Sequence, residues 1–309
     1  MVPERTWRRE RRPIRSPVRT SSREPRAGGP SLLSPPSPPR PVRAELPTDH
    51  RALPALGEDF TRPLDTGLAA LGLTLDPRQR AAIEAQARLL VAWGGAINLT
   101  ALRTPTGIAL EHVVDSLTAM ELLRGVESLL DLGSGAGYPG LPLAVCVPVP
   151  RVALVEPVGK KARFLTAAAS AALSELSGGG GDAEAGSRID VLAERAEDLA
   201  HDPRHRAAWD VVVCRAVAAM AELIELALPF LKRGGRLVAW KRDDGTGSLD
   251  REIAAAGEAG FVAGGASPEI HPVRVSGLED HRLVVITKVR ASPDHLPRSP
   301  VERRRPLVR

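Results

Sequence analysis

SLLDLGSGAGYPG, residues 128–140, decides the fold. Its first five residues read as a buried strand that delivers the chain to Asp131. Glycines at 133, 135 and 137 then permit tight turning and a close approach of backbone to a ligand. Working outward, further strands are expected at 152–156, 189–192, 210–214, 236–241 and 283–287, with a weaker one between 261 and 275. Helical stretches at 160–173, 218–230 and 249–258 separate them. Strands alternating with helices imply an α/β fold, a seven-stranded, mostly parallel, Rossmann-like sheet covered on both faces. The last two strands lack an intervening helix and are expected to form an antiparallel hairpin at one edge.

Ahead of the first strand, Asp76-Pro77 supplies an N-cap and an N1 proline for a helix through Trp93, with Ile83, Leu90 and Val91 apolar. Thr104-Pro105 repeats the signal before Val113, Val114, Leu117 and Met120. The expected division is a disordered Pro/Arg-rich tail at 1–62, a helical subdomain at 63–125, the sheet domain at 126–290 and a basic disordered tail at 291–309. Trp93 and Asn98 are expected to pack the helices onto the sheet.

The net charge of +5 belongs to the ends. Residues 1–50 hold 11 arginines against five acids, and 291–309 five against two, so the 240 residues between sum to −4. Any polyanion must therefore be bound by the folded part through local patches. Two cysteines exclude a disulfide scaffold and a multi-cysteine zinc site, and no metal is expected. Nine aromatics are too few for a single-strand binder built on stacked rings. The uncharged stretch 132–150 has the length of a membrane span but holds four glycines and four prolines, so it reads as a loop and a short helix. With no apolar signal segment after Arg8–Arg12, a cytoplasmic protein without membrane contact is expected, acting as a monomer.

Two cofactors compete for the glycine loop. Gly135-x-Gly137-x-x-Gly140 satisfies the dinucleotide fingerprint literally, which keeps an NAD(P)-dependent oxidoreductase as an alternative. A pyrophosphate, however, needs free N–H groups at a helix N-terminus, and Pro139 and Pro142 remove two of them. Asp131 would also repel a pyrophosphate, while tolerating an ammonium or sulfonium. S-adenosylmethionine fits better, with Gly135 against the ligand. Glu156, at the end of the second strand, is placed to accept hydrogen bonds from the ribose hydroxyls.

The sequence resembles the small-subunit rRNA guanine-N7 methyltransferase G family, also called glucose-inhibited division protein B. The similarity runs from about residue 73 to 288. It rests on WGGAINLTALR (93–103), EHVVDSL (111–117), LLDLGSGAGYPGLPLAV (129–145), GKKARFL (159–165), AERAEDL (193–199), CRAVA (214–218) and HRLVVITK (281–288). The resemblance implies a class I methyltransferase sheet and a target guanine in the 530 loop of 16S rRNA, so the partner would be 16S rRNA or the small ribosomal subunit. It places Gly133 and Tyr138 where the loop touches the cofactor, Ala196 and Glu197 at the adenine, and Arg215 as a cofactor-contacting arginine. Three positions depart from the family pattern. Glu111 stands where a basic residue is expected, Arg242 follows Lys241 where glycine is usual, and Tyr138 replaces an aliphatic residue.

Lys160, Lys161 and Arg163, clustered at a helix start, form a candidate phosphate-gripping patch for RNA; the plainer reading is a solvated helix face. His112 and Asp115, at i and i+3, could suggest an acid–base dyad, but a structural hydrogen bond is the simpler role. Guanine N7 carries a lone pair and no proton, so its methylation requires no general base, and no catalytic acid–base residue is expected. A catalytically silent RNA-binding module is the third reading.

Overall fold

In the computed structural model, residues 46–178, 188–215 and 218–307 are described. The expectation of disorder over most of 1–62 therefore lies largely outside the described residues. Three helical segments open the described chain: α1 (Glu58–Ala70), α2 (Pro77–Trp93) and the short α3 (Pro105–Gly107). Asp76 caps α2 through a reciprocal capping box with Gln79, and Thr104 caps α3. Beyond α3 the chain winds as a π-helix over Ile108–Val114 before returning to the one-turn α4 (Asp115–Leu117). π segments recur at functional sites, and this one carries Glu111 and His112.

The sheet follows as β1 (Ser128–Leu132), α5 (Gly140–Cys146), β2 (Arg151–Val155), α6 (Gly159–Leu176), β3 (Arg188–Leu192), α7 (Ala196–Leu199), β4 (Trp209–Arg215), α8 (Met220–Ala227), β5 (Leu231–Arg242), α9 (Ser248–Ala263), β6 (Glu269–Pro272) and β7 (His281–Thr287). Its seven strands run in the order β3-β2-β1-β4-β5-β7-β6. β1 to β5 pair in parallel and β7 is antiparallel to both neighbours, so the terminal hairpin sits at one edge. The order reverses between β1 and β4, and such a switch point opens a crevice beyond the carboxyl ends of the strands.

Strand alternation divides the core into two layers. Leu129, Val211 and Val213 face the N-terminal helices, α5 and α6, while Leu130, Leu132, Val212 and Cys214 face α8 and α9. Trp93 is buried edge-on against Phe164 of α6, whereas Asn98 is exposed.

Both tail boundaries need correction. Residues 46–62 are ordered: Pro47 O accepts the Trp93 indole N–H at 2.7 Å, and Phe60 is buried inside α1. The segment 291–307 is not a free basic tail. Arg206 donates to the carbonyls of Pro293 and Leu296, Leu296 is fully buried, and Arg298 forms a two-pronged pair with the buried Glu225 of α8. Arg298 and Arg303 meet carboxylates of the folded part, which charge counting along the chain does not reveal.

Candidate active site

At the switch point the glycine loop is built almost entirely from backbone. Gly133, Gly135 and Gly137 all adopt left-handed φ, at 70°, 56° and 85°. A Cβ on Gly135 would meet only Gly133 O at 3.8 Å, so space is open in front of it. Behind the loop there is none. A Cβ on Gly137 would lie 2.8 Å from Gln86 Nε2, and one on Gly140 would lie 2.6 Å from Asp131 Oδ2. Gln86 of α2 is fully buried and donates to Ala136 O at 2.9 Å, so the helical subdomain braces the loop from behind.

The N-terminus of α5 offers nothing to a phosphate. The Gly140 N–H goes to Asp131 Oδ2, those of Leu141 and Leu143 go to the carbonyls of Gly137 and Pro139, and Pro139 and Pro142 have none. Asp131 is wholly buried, and burial pushes its carboxyl up to about 6. Its Oδ1 has no hydrogen-bond partner. Glu156, immediately after β2, accepts the Gly135 N–H at 3.1 Å through one oxygen and the Val158 N–H at 2.8 Å through the other. Each oxygen keeps a lone pair, so the carboxylate is fixed in orientation and still able to accept two hydroxyls.

Ala196 and Glu197 open α7, at the carboxyl end of β3. Arg303 pairs with Glu197 and also, at 3.2 Å, with Glu222 of α8, contacts that link positions far apart in the chain. Burial would raise the Glu197 carboxyl, but the hydrogen bond from Arg303 holds it below the ordinary value. Lys160 and Arg163 are exposed and Lys161 half-buried at the start of α6, four residues and more beyond Glu156; none of the three makes an ion pair among the described residues.

Arg215 ends β4 in the middle of a second feature. Its guanidinium donates to Glu111 O at 2.9 Å, Asp115 Oδ2 at 3.1 Å and His112 Nδ1 at 2.8 Å. The other His112 nitrogen meets Thr100 Oγ1 at 2.8 Å, and the ring stacks on Tyr138 with centroids 4.6 Å apart. With Nδ1 accepting from an arginine, the imidazole is neutral; burial and then Arg215 lower its pKa to about 3. Asp115, 1% exposed, also binds His281 Nδ1 through Oδ1 at 2.8 Å, and its carbonyl accepts the Trp240 indole N–H at 2.9 Å. The dyad suggested by His112 and Asp115 is thus two separate supports for Arg215. Beside this web lies a pocket of about 360 Å³ lined by Glu111, Arg215, Trp240, Lys241, Arg242 and His281 among others. Two of the departures from the family pattern meet on its rim: Arg242 pairs with Glu111 at 2.8 Å and with Asp280 at 3.0 Å.

A doubly wound sheet with a bare glycine loop at its switch point and a fixed carboxylate at the next strand end defines an enzyme that binds a nucleoside without a pyrophosphate. Residues 79–262 match the family of rRNA small subunit methyltransferase G, and the chain belongs to that family. Proteins named ribosomal RNA small subunit methyltransferase G from Roseiflexus sp. strain RS-1 and Dehalococcoides mccartyi are 40% and 38% identical over 240 and 235 residues. These matches cover 77% and 75% of this chain and 96% and 93% of the relatives. The protein of that name from Bacillus subtilis is 32% identical over 246 residues, or 79% of this chain and 95% of its own length.

Among the described residues, no helix is long and apolar enough to cross a membrane, and no group of three or more His, Cys, Asp or Glu side chains is placed to hold a metal. Sequence reasoning missed Gln86, Trp240, His281 and Arg303. Each acts on a partner at least 50 residues away, and even His281, which opens the HRLVVITK motif, has no local neighbour that points to its role.

Proposed function

We propose that this chain transfers the methyl group of S-adenosylmethionine to N7 of a guanine in the 530 loop of 16S rRNA, guanine-527 in conventional rRNA numbering. Family membership supports the class of reaction. The observation that carries the cofactor is the first turn of α5, where every N–H is absent or already engaged, so a dinucleotide's pyrophosphate would find no free donor in that turn. That argues against the oxidoreductase reading.

When bound, the cofactor supplies a methyl group on a sulfonium, whose leaving group needs no acid. The residues of the chain then have to bind, orient and exclude water. Gly133 and Gly135 let the backbone approach, Glu156 presents fixed acceptors to the ribose, and Ala196 and Glu197 close the adenine side. Arg215, locked by Asp115 and His112, stands between Tyr138 and the neighbouring pocket, its guanidinium 5.6 Å from the phenol ring. Neutral His112 has both nitrogens committed and takes no proton. Alignment of N7, methyl and sulfur can supply about 7–11 kcal/mol of barrier reduction without proton transfer. Because N7 lies in the deep groove of A-form RNA, the base must be in a loop or splayed out.

Lys160, Lys161 and Arg163 would grip phosphates beside the crevice. Replacing all three with alanine is expected to weaken RNA binding about tenfold and to flatten its salt dependence by about two in log–log slope, with cofactor affinity unchanged. The reading is tested by thermal shift and methyl transfer. S-adenosylhomocysteine should raise the melting temperature and NAD should not, and labelled S-adenosylmethionine should label purified small-subunit RNA. Stabilisation by NAD alone would return the oxidoreductase. Stabilisation by neither ligand, with RNA binding intact, would return the silent module.

A further inference from the structure

The pocket beside Arg215 is lined in part by a histidine that the mechanism above does not use. His281 opens β7, and its ring is 7% exposed. Nδ1 lies 2.8 Å from Asp115 Oδ1, and an ionised carboxylate only accepts, so Nδ1 carries the hydrogen. In the neutral ring, Nε2 is then a lone-pair acceptor. It is buried without a hydrogen-bond partner, and Asp280 Oδ1 lies 3.7 Å away. Buried polar atoms in folded proteins are nearly always satisfied, and His281 lines a cavity from which a donor outside the chain could approach. Trp240 lines the same pocket with its indole N–H already given to Asp115 O, so the ring contributes a π surface.

We propose that His281 is a specificity-determining contact of the target base, its Nε2 accepting a hydrogen bond from the Watson–Crick edge of guanine. This rests on the proposed function. Guanine presents N1–H and the 2-amino group on that edge. Adenine has an acceptor at N1, no group at C2 and its one donor, the 6-amino group, where guanine has O6, so at N1 it would face Nε2 lone pair to lone pair. The pocket lies at the carboxyl ends of β4 and β5, across Arg215 from the glycine loop, and its volume falls in the range of small-ligand sites. Asp115 acts through His281 and Arg215 as a positioning residue. The edge opposite N7 would be held here, leaving N7 directed away from the contact.

The test uses the full-length protein and small-subunit RNA carrying guanine, inosine (no 2-amino group) or 2-aminopurine (no N1–H) at the target. With wild type, at least one analogue should lose tenfold or more in kcat/KM relative to guanine. His281→Asn keeps a donor for Asp115 but has no atom at Nε2; it should lose activity on guanine and abolish that analogue penalty, with affinity for S-adenosylhomocysteine unchanged. His281→Gln, which carries an oxygen near the Nε2 position, should restore part of the penalty, and it takes over the comparison if the asparagine variant fails to fold. No penalty in wild type, or an equal penalty in the variants, overturns the proposal. So does a change confined to cofactor affinity, which would give the pocket to the methionine end of the cofactor. If wild type fails to methylate guanine-containing RNA at all, the proposed function is what falls.

Discussion

The two halves of the site are built in opposite ways. The glycine crevice is nearly all backbone, drawn from residues 131–140 plus Glu156, and its few side chains serve to fix carbonyls and N–H groups. The pocket beside it is nearly all side chain, with Asp115, Arg215, Trp240 and His281 joined across four elements. A crevice of the first kind can lose its ligand without losing its fold. A web of the second kind is part of the fold, because separating its members leaves charges buried without partners.

The largest expected effect is in the web. Asp115→Ala should lower the unfolding free energy by about 3–5 kcal/mol in urea titration, since Arg215 and His281 would both be stranded. A loss below about 1 kcal/mol would mean that solvent reaches the web and that the contrast with the crevice is false. Next, Gly135→Asp should cost at least about 100-fold in S-adenosylhomocysteine affinity by calorimetry, near 2.7 kcal/mol. The new side chain enters open space, so the fold should persist, but at φ 56° and with its charge brought towards Glu156 it should also lower stability by about 1–3 kcal/mol. Unchanged affinity would put the ligand elsewhere.

Removing residues 291–309 should cost about 2–3 kcal/mol of stability, through loss of the buried Leu296 and of the Arg298 partner of Glu225. It should also weaken cofactor binding slightly, because Arg303 no longer holds Glu197. No change in melting temperature would restore the free tail. The smallest effect is at Asp131. Its folded pKa of about 6 stands above the 3.8 of a free aspartate, so between those values the native state keeps a proton that the unfolded chain releases. This group's contribution therefore falls as pH rises from about 4 to 6 and stays unfavourable above. Asp131→Asn removes the titration, so the stability difference, variant minus wild type, should grow by about 1–2 kcal/mol across that window. A flat difference would show that Asp131 is ionised throughout.

The crevice was legible in the sequence because its determinants are local. Asp131, the three glycines and Pro139 lie within nine residues, and Glu156 is found by following the chain to the next strand end. The strand–helix alternation likewise gave the parallel sheet and its antiparallel edge. The pocket was illegible because its contacts span 100 residues or more: Asp115 meets Arg215 100 positions on, Trp240 125 on and His281 166 on. His112 and Asp115 drew notice as a pair, yet each is committed to a different distant partner. The C-terminal segment misled for a related reason. Arginines and prolines read as disorder when their carboxylate partners, Glu197, Glu222 and Glu225, belong to other elements.

The most direct test of the account is the atom that receives the methyl group. Small-subunit RNA methylated by the purified protein, then treated with borohydride and aniline, breaks only where a guanine carries a methyl at N7. One new break at a guanine of the 530 loop is predicted, appearing with S-adenosylmethionine and suppressed by 7-deazaguanine at that position. Methyl incorporation without a break would contradict the account, because it would put the group on an exocyclic amine or a ring N–H and require a base that neutral, doubly bonded His112 does not supply.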